Sequence, residues 1–247
     1  MYAAQADTAS GEVFAEKLCK EGAEVAVAAF RQIKHSNFTV EDTEKSISAD
    51  FFQGKVDRVD GTEEYVRIID YKTGSIDDSA TSYYTGRKLQ MQLYMSALQG
   101  ERVPAGVFYF PASAHYSEET ANKYQMKGFL NGDEKALRAG DTTLTEGATS
   151  EFFPATLQEK TRSKRVMEES VFRDFIDYSL HVARQGVAEL KEGYVAPTPY
   201  GNSCEYCKYG GMCGFKKETA LPRVESSIDA PTIAEIARKK REGENNV

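Results

Sequence analysis

Apolar residues follow helical spacing in the first part of the chain and strand spacing soon after it. From Gly11 to Lys34 they recur at steps of three, four and seven, which predicts a helix with one buried face. That face would consist of Phe14, Leu18, Val25, Ala29 and Ile33. Two strands are predicted next, Ile47 to Asp60 and Glu64 to Lys72, joined by a short turn around Gly61. The first predicted elements are therefore a helix and a β-hairpin.

The middle of the chain mixes helical, strand and irregular patterns. Ser82 to Leu98 is predicted to be a helix whose apolar stripe consists of Leu89, Leu93 and Ala97. The short apolar and aromatic run from Gly106 to Phe110 suits a buried central strand. Glu118 to Thr156 has short helical pieces and several glycines. We expect most of this segment to be an excursion on one side of the core.

A second long helix is predicted from Glu168 to Glu192, with Gly193 as its C-terminal stop. Its inner face would consist of Val171, Phe175, Tyr178 and Val182. The order helix, strand, strand, helix, strand, helix predicts an α/β fold in which a small mixed sheet has helices on both sides. We expect a main domain over residues 1–200, a cysteine segment over 201–216 and a polar C-terminal tail over 217–247.

Composition narrows the possible classes of function. The chain has 247 residues, of which 40% are hydrophobic, enough for one substantial core. No apolar run approaches the length of about 18 residues that would span a membrane, and residues 1–10 do not resemble a signal peptide, so we expect a cytoplasmic protein without a membrane partner. The net charge of −7 argues against a protein that coats DNA by charge alone. It is compatible with an enzyme that holds a metal ion with carboxylates.

Two carboxylates and one ammonium are predicted to meet on the hairpin. Side chains alternate along a strand, so Asp70 and Lys72 point to the same face. If the hairpin folds symmetrically about Glu63 and Glu64, Asp57 lies opposite Asp70 on the neighbouring strand. Directly opposed Cβ atoms are about 5 Å apart. The three charged groups would then share one small patch.

Such a patch could hydrolyse a phosphodiester. Two close carboxylates repel each other unless a cation lies between them, and Mg²⁺ or Mn²⁺ prefers oxygen ligands. The bound metal would polarise a phosphate oxygen and activate a water, while Lys72 would orient that water and offset developing charge. The alternative is a solvated salt-bridge ladder on an exposed strand. Spacing alone leaves both open, although the apolar residues Ile68 and Ile69 directly before Asp70 weaken the ladder.

The predicted second helix adds polar groups. Gln90 and Tyr94 are four residues apart and share a helical face with Arg87. They would face the carboxylate patch and position a DNA strand, or they are incidental polar groups on an amphipathic core helix.

Three of the four cysteines are clustered. Cys204, Cys207 and Cys213 lie within ten residues, which favours a metal or cluster site over a disulfide framework, with unligated thiols as the alternative. Cys19 stands alone in the first predicted helix, where we expect a small buried hydrophobe.

In order along the chain, these motifs resemble the RecB branch of the PD-(D/E)XK nucleases. The three shared motifs are G-x-x-D at Gly54–Asp57, I-I-D-Y-K-T-G at Ile68–Gly74 and Q-x-x-x-Y at Gln90–Tyr94. The likeness extends over roughly residues 12–216 to the nuclease domains of AddB-type subunits of bacterial helicase-nucleases. The further similar segments are Tyr83–Gly86, Pro104–Phe110, Met126–Asp133 and Cys204-x2-Cys207-x5-Cys213-x-Phe215.

The resemblance implies a role for each motif residue. Asp57 and Asp70 would be ligands of Mg²⁺ or Mn²⁺, with the backbone carbonyl of Tyr71 as a third contact. Lys72 would be the catalytic lysine, and Gln90 and Tyr94 would lie near the scissile strand. The implied activity is a Mg²⁺-dependent DNA exonuclease that processes double-strand breaks for repair. Its partners would be DNA, as a single strand in the nuclease site, and an AddA-type helicase-nuclease subunit.

The resemblance also implies a [4Fe-4S] cluster held by Cys204, Cys207, Cys213 and a fourth cysteine. That fourth cysteine and a metal-assisting histidine would lie upstream of Met1, so we expect the chain to be a piece of a longer protein. His35, His115 and His181 do not match the histidine and are expected at the surface or in loops.

Two other classes of function stay open at this point. The chain could be a non-catalytic DNA-binding or scaffold fragment, which its acidic charge favours, or an iron-sulfur or zinc module with an incidental nuclease-like core. The basic run from Lys160 to Arg165 could contact a phosphate backbone, or it could be a solvated loop or helix start.

Overall fold

A six-stranded mixed sheet forms the centre of the molecule, with its strands side by side in chain order. The computed structural model describes residues 9–113, 123–158, 163–194, 196–201, 203–215 and 226–244. The strands are β1 Thr39–Ser48, β2 Gln53–Gly61, β3 Tyr65–Lys72, β4 Val103–Pro111, β5 Lys127–Asn131 and β6 Val166–Met167. The β3–β4 and β5–β6 pairs are parallel and the other three are antiparallel.

Helices cover both sides of this sheet, as the sequence predicts. They are α1 Ala9–Lys34, α2 Ala80–Tyr84, α3 Gln90–Leu98, α4 Glu134–Gly140, α5 Glu169–Lys191 and α6 Ala230–Glu244, with a 3-10 turn at Ser203–Tyr206. Within the described residues, no helix is both long and apolar enough to cross a membrane.

Alternation along the strands gives the sheet two different faces. On the front face, Val59, Ile68 and Val107 pack beneath α3, α5 and α6. On the back face, Ile69 and Phe108 pack beneath α1 and the segment 124–157. Burial of each large apolar side chain contributes about 1.5–3 kcal/mol, so the two cores fix which strand residues point to which side. Asp70 and Lys72 share the parity of Ile68 on β3, and Asp57 shares that of Val59 on β2.

The predicted buried face of α1 is only partly buried. Phe14 and Leu18 are each 47% exposed, whereas Val25 and Ala29 pack against the back-face core. The 26-residue helix is about 39 Å long, and its second half alone meets the core. Cys19 lies in the other half and is exposed, so the prediction that it is a small buried hydrophobe is wrong.

The predicted strand from Ile47 to Asp60 contains a turn, and a strand before it was missed. β1 ends at Ser48, and the Ala49 amide then bonds to the Phe52 carbonyl at 2.9 Å before β2 begins. β1 has the sequence TVEDTEKSIS and is exposed along most of its length. It is an edge strand held mainly by backbone bonds to β2, so its side chains carry no apolar alternation. β3 lies where the sequence predicts.

The predicted helix from Ser82 to Leu98 is two helices, α2 and α3. Gly86 separates them with φ +78°, a left-handed conformation that glycine adopts without strain. The Tyr178 hydroxyl donates to the Tyr84 carbonyl at 3.0 Å and holds the end of α2 against α5. Arg87 therefore lies before α3, and the prediction that it shares a helical face with Gln90 and Tyr94 is wrong.

The segment predicted as an excursion contributes one strand to the sheet and a large part of the back-face core. It contains β5, which pairs antiparallel with β4, and α4, whose cap Asp133 accepts from the Lys135 amide at 2.8 Å. It also supplies back-face core residues that include Met126, Leu130, Leu137, Leu144, Phe152 and Phe153. Residues 118–122 of this segment lie outside the described residues. For the rest, the prediction of a segment beside the core is wrong because its scattered aromatic residues are buried.

The C-terminal part of the chain holds one confirmed helix and one correction. α5 spans nearly the predicted range, and Gly193 follows it at φ +80° as predicted. The predicted polar tail contains α6, whose first and second turns are buried in the front-face core through Ala230, Ile233, Ala234 and Ala237. These residues have the spacing of an amphipathic helix, but the many charges around them hid it.

Candidate functional site

The candidate site lies where β2 and β3 stop pairing. Their antiparallel register runs from the Gly61–Val66 pair to the Arg58–Ile69 pair. Continued by one residue, this register would place Asp57 opposite Asp70, and Asp57 is close enough to raise the pKa of Asp70. At this point the Tyr71 amide donates to the Asp57 side chain, at Oδ2 and 2.8 Å, in place of a backbone carbonyl of β2. The two strands are thus joined at the site through a carboxylate.

Asp70 and Lys72 form an ion pair on the same patch. Asp70 Oδ2 lies 2.5 Å from Lys72 Nζ, and the residues are buried and about one-third exposed, respectively. Burial raises the pKa of Asp70 and Asp57 raises it further, while Lys72 opposes both effects. For Lys72, burial disfavours the ammonium, but Asp70, then Tyr109 and Asp57, outweigh it and raise its pKa. The structure therefore brings the three predicted charged residues together, with Lys72 as a cation at neutral pH.

Gln90 and Tyr94 meet the G-x-x-D motif through its glycine. Gln90 Nε2 donates to the Tyr94 hydroxyl at 3.2 Å. A Cβ atom at Gly54 would lie 1.9 Å from that hydroxyl, so only glycine lets α3 approach β2 this closely. Gln90 is exposed at the start of α3, whereas Tyr94 is 8% exposed and also belongs to the front-face core. The core and functional interpretations of Tyr94 are therefore both compatible with its position.

Two buried tyrosines, Tyr109 beside Lys72 and Tyr83 beside Tyr109, are absent from the site residues predicted from the sequence. Tyr109 on β4 pairs with Asp70, and Lys72 Nζ lies 5.5 Å from the centre of its ring. The hydroxyls of Tyr109 and Tyr83 are 3.4 Å apart, and burial raises the pKa of both, so they stay protonated. The aromatic run GVFYF was the available signal, but using it required the parallel pairing of β3 with β4.

A polar network on the back face was also missed. Arg58 donates to both oxygens of Asp60, at 2.6 and 2.5 Å, to Gln32 Oε1 at 2.6 Å and to the Tyr71 hydroxyl at 3.1 Å. Arg67 Nε donates to Asp60 Oδ2 at 2.9 Å. Gln32, Arg58, Asp60 and Arg67 are each at most 2% exposed. Full burial lowers the pKa of Arg67 to about 10, against the opposing effect of Asp60.

The front-face donor set suits a hard divalent cation. Among the described residues, Asp57 Oδ1 and Asp70 Oδ1 receive no hydrogen bond, and the Tyr71 carbonyl belongs to the same hairpin end. Two carboxylates and a backbone carbonyl are oxygen ligands of the kind that Mg²⁺ and Mn²⁺ prefer. In the described parts of the chain, no three His, Cys, Asp or Glu side chains converge to hold a metal. Any ion at the hairpin would thus need the backbone carbonyl, water or a ligand from elsewhere.

The cysteine segment is open to solvent. Cys207 and Cys213 are exposed and Cys204 is partly buried, and their thiols do not converge into a group that could hold a metal. Backbone bonds order the segment locally, among them the Cys213 amide to the Tyr209 carbonyl at 3.0 Å.

The histidines and the basic run have other contacts. His35 stacks on Phe152, and His181 Nε2 lies 3.1 Å from Lys240 Nζ. Arg165 makes an ion pair with Asp78 at 2.5 Å and lies over the Phe129 ring, which gives it a structural role. His115 and residues 160–162 of the basic run lie outside the described residues.

A comparison with protein families decides which family these features belong to. The family model of the PD-(D/E)XK nuclease superfamily matches residues 2–214. The chain belongs to this superfamily. The match includes all three motifs of the hairpin and α3, so the carboxylates, Lys72 and Tyr94 lie within the part of the chain that is typical of PD-(D/E)XK nucleases.

Several curated relatives are named as the B subunit of an ATP-dependent helicase/deoxyribonuclease. The Listeria welshimeri protein is 30% identical over 203 residues, 69% of this chain and 18% of its own length. The Listeria monocytogenes protein is 28% identical over 66% of this chain and 17% of its own length, and the Oceanobacillus iheyensis protein is 27% identical over 78% and 19%. This PD-(D/E)XK chain therefore spans less than a fifth of the length of these relatives.

Proposed function

We propose that the chain is a metal-dependent deoxyribonuclease domain that hydrolyses phosphodiester bonds of a DNA strand. Asp57, Asp70 and the Tyr71 carbonyl would hold Mg²⁺ or Mn²⁺, and Lys72 would act on the reacting groups. The observation that carries the proposal is the meeting of Asp57, Asp70 and Lys72 where the β2–β3 ladder ends, within a chain of the PD-(D/E)XK superfamily.

Each residue at the hairpin end has a distinct chemical use. A bound Mg²⁺ or Mn²⁺ would polarise a phosphate oxygen and lower the pKa of a coordinated water. The Lys72 ammonium can hydrogen-bond the attacking water and offset negative charge on the phosphate oxygens as it develops. The Asp57 carboxylate stays oriented because the Tyr71 amide binds one of its oxygens. The side-chain amide of Gln90, which is exposed at the start of α3, can contact the DNA strand.

The names of the relatives support a place in a larger assembly. We propose that the chain is the nuclease part of an AddB-type subunit of a helicase-nuclease, which acts with an AddA-type subunit on DNA ends in the cytoplasm during double-strand-break repair. In that longer protein, Cys204, Cys207 and Cys213 would hold a [4Fe-4S] cluster together with a fourth ligand from outside this chain.

A cleavage assay with matched lysine variants tests the proposed activity. Lys72→Ala and Asp70→Ala should each lower Mg²⁺-dependent cleavage of end-labelled single-stranded DNA by at least about 100-fold, because the first removes the ammonium at the reacting phosphate and the second removes a ligand of the metal. Lys45→Ala is the control, since Lys45 also pairs with an aspartate on this sheet, Asp42 at 2.5 Å. It should leave cleavage unchanged.

Two results would contradict the proposal. Equal cleavage by the wild type, Lys72→Ala and Asp70→Ala would identify a contaminating nuclease. DNA binding by the wild type without Mg²⁺- or Mn²⁺-dependent cleavage would favour a scaffold domain instead, the function with which the net charge of −7 is also compatible.

A further inference from the structure

Two consecutive residues of β2 hold Tyr71 of β3 from opposite faces of the sheet. On the front face, Asp57 Oδ2 accepts the Tyr71 amide at 2.8 Å. On the back face, Arg58 Nη1 donates to the Tyr71 hydroxyl at 3.1 Å. Both contacts lie just beyond the last registered pair, Arg58–Ile69. Past that pair, these two side-chain contacts take over from the backbone ladder in setting the spacing of the strands.

Contacts other than the one with Tyr71 set the orientation of the Arg58 guanidinium. Its planar guanidinium donates to both oxygens of Asp60, at 2.6 and 2.5 Å, and its Nη2 also donates to Gln32 Oε1 of α1 at 2.6 Å. A fork of this kind is held in one orientation, unlike the freely rotating ammonium of a lysine. The hydroxyl of Tyr71 is therefore held at a position set by β2 and α1.

The network buries more charge than it neutralises. Two arginines and one aspartate are buried within a single hairpin, each at most 2% exposed, which leaves one positive charge in excess among the three. Buried ion pairs of this kind can often be replaced by apolar residues without loss of stability. An apolar replacement, however, could not bind the Tyr71 hydroxyl.

We propose that Arg58 is a positioning residue for the metal site and acts through the Tyr71 hydroxyl. By holding the ring, it fixes the Tyr71 peptide, whose amide orients Asp57 and whose carbonyl is the third oxygen of the donor set. The spacing between Asp57, Asp70 and that carbonyl then depends on a contact on the other side of the sheet. This inference rests on the proposed function, since it assumes that the front-face patch binds a cation.

Tyr71→Phe removes the contact with the smallest change to the fold. It deletes one hydroxyl and keeps the ring that packs against Phe110 at 5.3 Å. Tyr65→Phe is the matched control, because Tyr65 lies at the other end of β3 and its hydroxyl donates to Asp133 at 3.1 Å. Both variants lose one tyrosine hydroxyl bond from the same strand, but Tyr65 is remote from the site.

The measurement is Mn²⁺ binding to the DNA-free protein, followed by electron paramagnetic resonance. Loss of an outer partner of a metal ligand lowers affinity by about 10–100-fold in known sites, so we expect the Mn²⁺ Kd of Tyr71→Phe to rise by about tenfold. The Kd of Tyr65→Phe should stay within about twofold of wild type. Arg58→Lys, which keeps the charge but lacks the fork, should weaken binding in the same direction.

The outcomes separate this inference from the proposed function. Wild-type affinity in Tyr71→Phe, or an equal loss in Tyr65→Phe, would overturn the positioning role while leaving the metal site intact. Wild-type protein that binds no Mn²⁺, or binds it equally well after Asp70→Asn, would overturn the metal site and the positioning role with it. If Arg58→Lys does not fold, as judged by circular dichroism, the comparison of Tyr71→Phe with Tyr65→Phe still decides the question.

Discussion

Both faces of the β2–β3 hairpin carry charged residues, but the carboxylate on the back face accepts more hydrogen bonds than those on the front face. On the back face, Asp60 receives three hydrogen bonds from two arginines, and it is completely buried. On the front face, Asp57 receives one from the Tyr71 amide, and Asp70 has one ion pair with Lys72. A buried carboxylate with a full set of partners has no capacity left for a ligand. The carboxylates with spare oxygens lie on the face for which we propose a bound cation.

Asp60→Asn tests whether the back-face network stabilises the fold, and we expect it to cause the largest loss of stability. The change leaves two buried guanidiniums without their shared anion, and breaking a buried ion pair costs about 3–5 kcal/mol. Urea unfolding should show a loss of that order, with Asp57→Asn as the control from the opposite face. In that control, the oxygen of the introduced side-chain amide can still accept the Tyr71 amide, so stability should change by less than about 1 kcal/mol.

A small effect of Asp60→Asn would break the contrast, because the back-face network would then not be a structural one. An equally large loss of stability in Asp57→Asn would also contradict the contrast, because it would show that the fold needs the front-face carboxylate.

Gly54→Ala tests how closely the front face is built around α3, with an intermediate effect. The added methyl group would meet the Tyr94 hydroxyl at 1.9 Å and the ring carbon beneath it at 2.5 Å. Overpacking of this kind costs about 1–3 kcal/mol. Because the clash is with one side chain, Gly54→Ala combined with Tyr94→Leu should lose less stability than the sum of the two single changes. Gly22→Ala, where no atom lies within 4 Å of the added carbon, is the control.

Additive losses in that cycle would show that Gly54 and Tyr94 do not constrain each other. The G-x-x-D and Q-x-x-x-Y motifs would then be neighbours in sequence pattern without being packed together in the fold.

The front-face patch could be predicted from sequence because its geometry is local. A strand has a period of two and the β2–β3 connection is short, so the spacing of Asp57, Asp70 and Lys72 along the chain fixed their meeting. The same alternation places Arg58 and Asp60 together on the other face. Nothing local indicated that Gln32, 26 positions before Arg58, would cover them. The back-face network therefore depends on how α1 packs across the sheet.

Two missed elements show the limits of apolar patterning. β1 has mostly polar residues because an edge strand is held by its backbone bonds to one neighbour, so it gives no alternating signal. The buried residues of α6 that the structure describes are small or β-branched, Ala230, Ile233, Ala234 and Ala237, and a run of charged residues follows them. Tyr109 was missed for another reason, since it meets Asp70 through a parallel pairing that joins residues 39 positions apart.

The smallest expected effect is a change in the pKa of Asp70, and it sharpens the contrast most directly. Burial, then Asp57, raise the pKa of Asp70 against the effect of Lys72. Folded protein therefore keeps the proton at pH values where the unfolded chain has released it. Stability falls as the pH rises from the ordinary aspartate pKa of 3.8 through the raised one. Asp57→Asn removes the repelling charge, so the pKa of Asp70 should fall and this pH-dependent loss should shrink.

A carboxyl-carbon NMR titration of Asp70 in metal-free protein measures this directly. Glu41→Gln, which removes an acid paired with Arg102 at the edge of the sheet, is the control and should leave the Asp70 titration in place. If Asp57→Asn leaves it unchanged as well, the two front-face carboxylates are too far apart to repel each other. A cation between them would then have no repulsion to relieve, and the difference between the two faces would be one of burial alone.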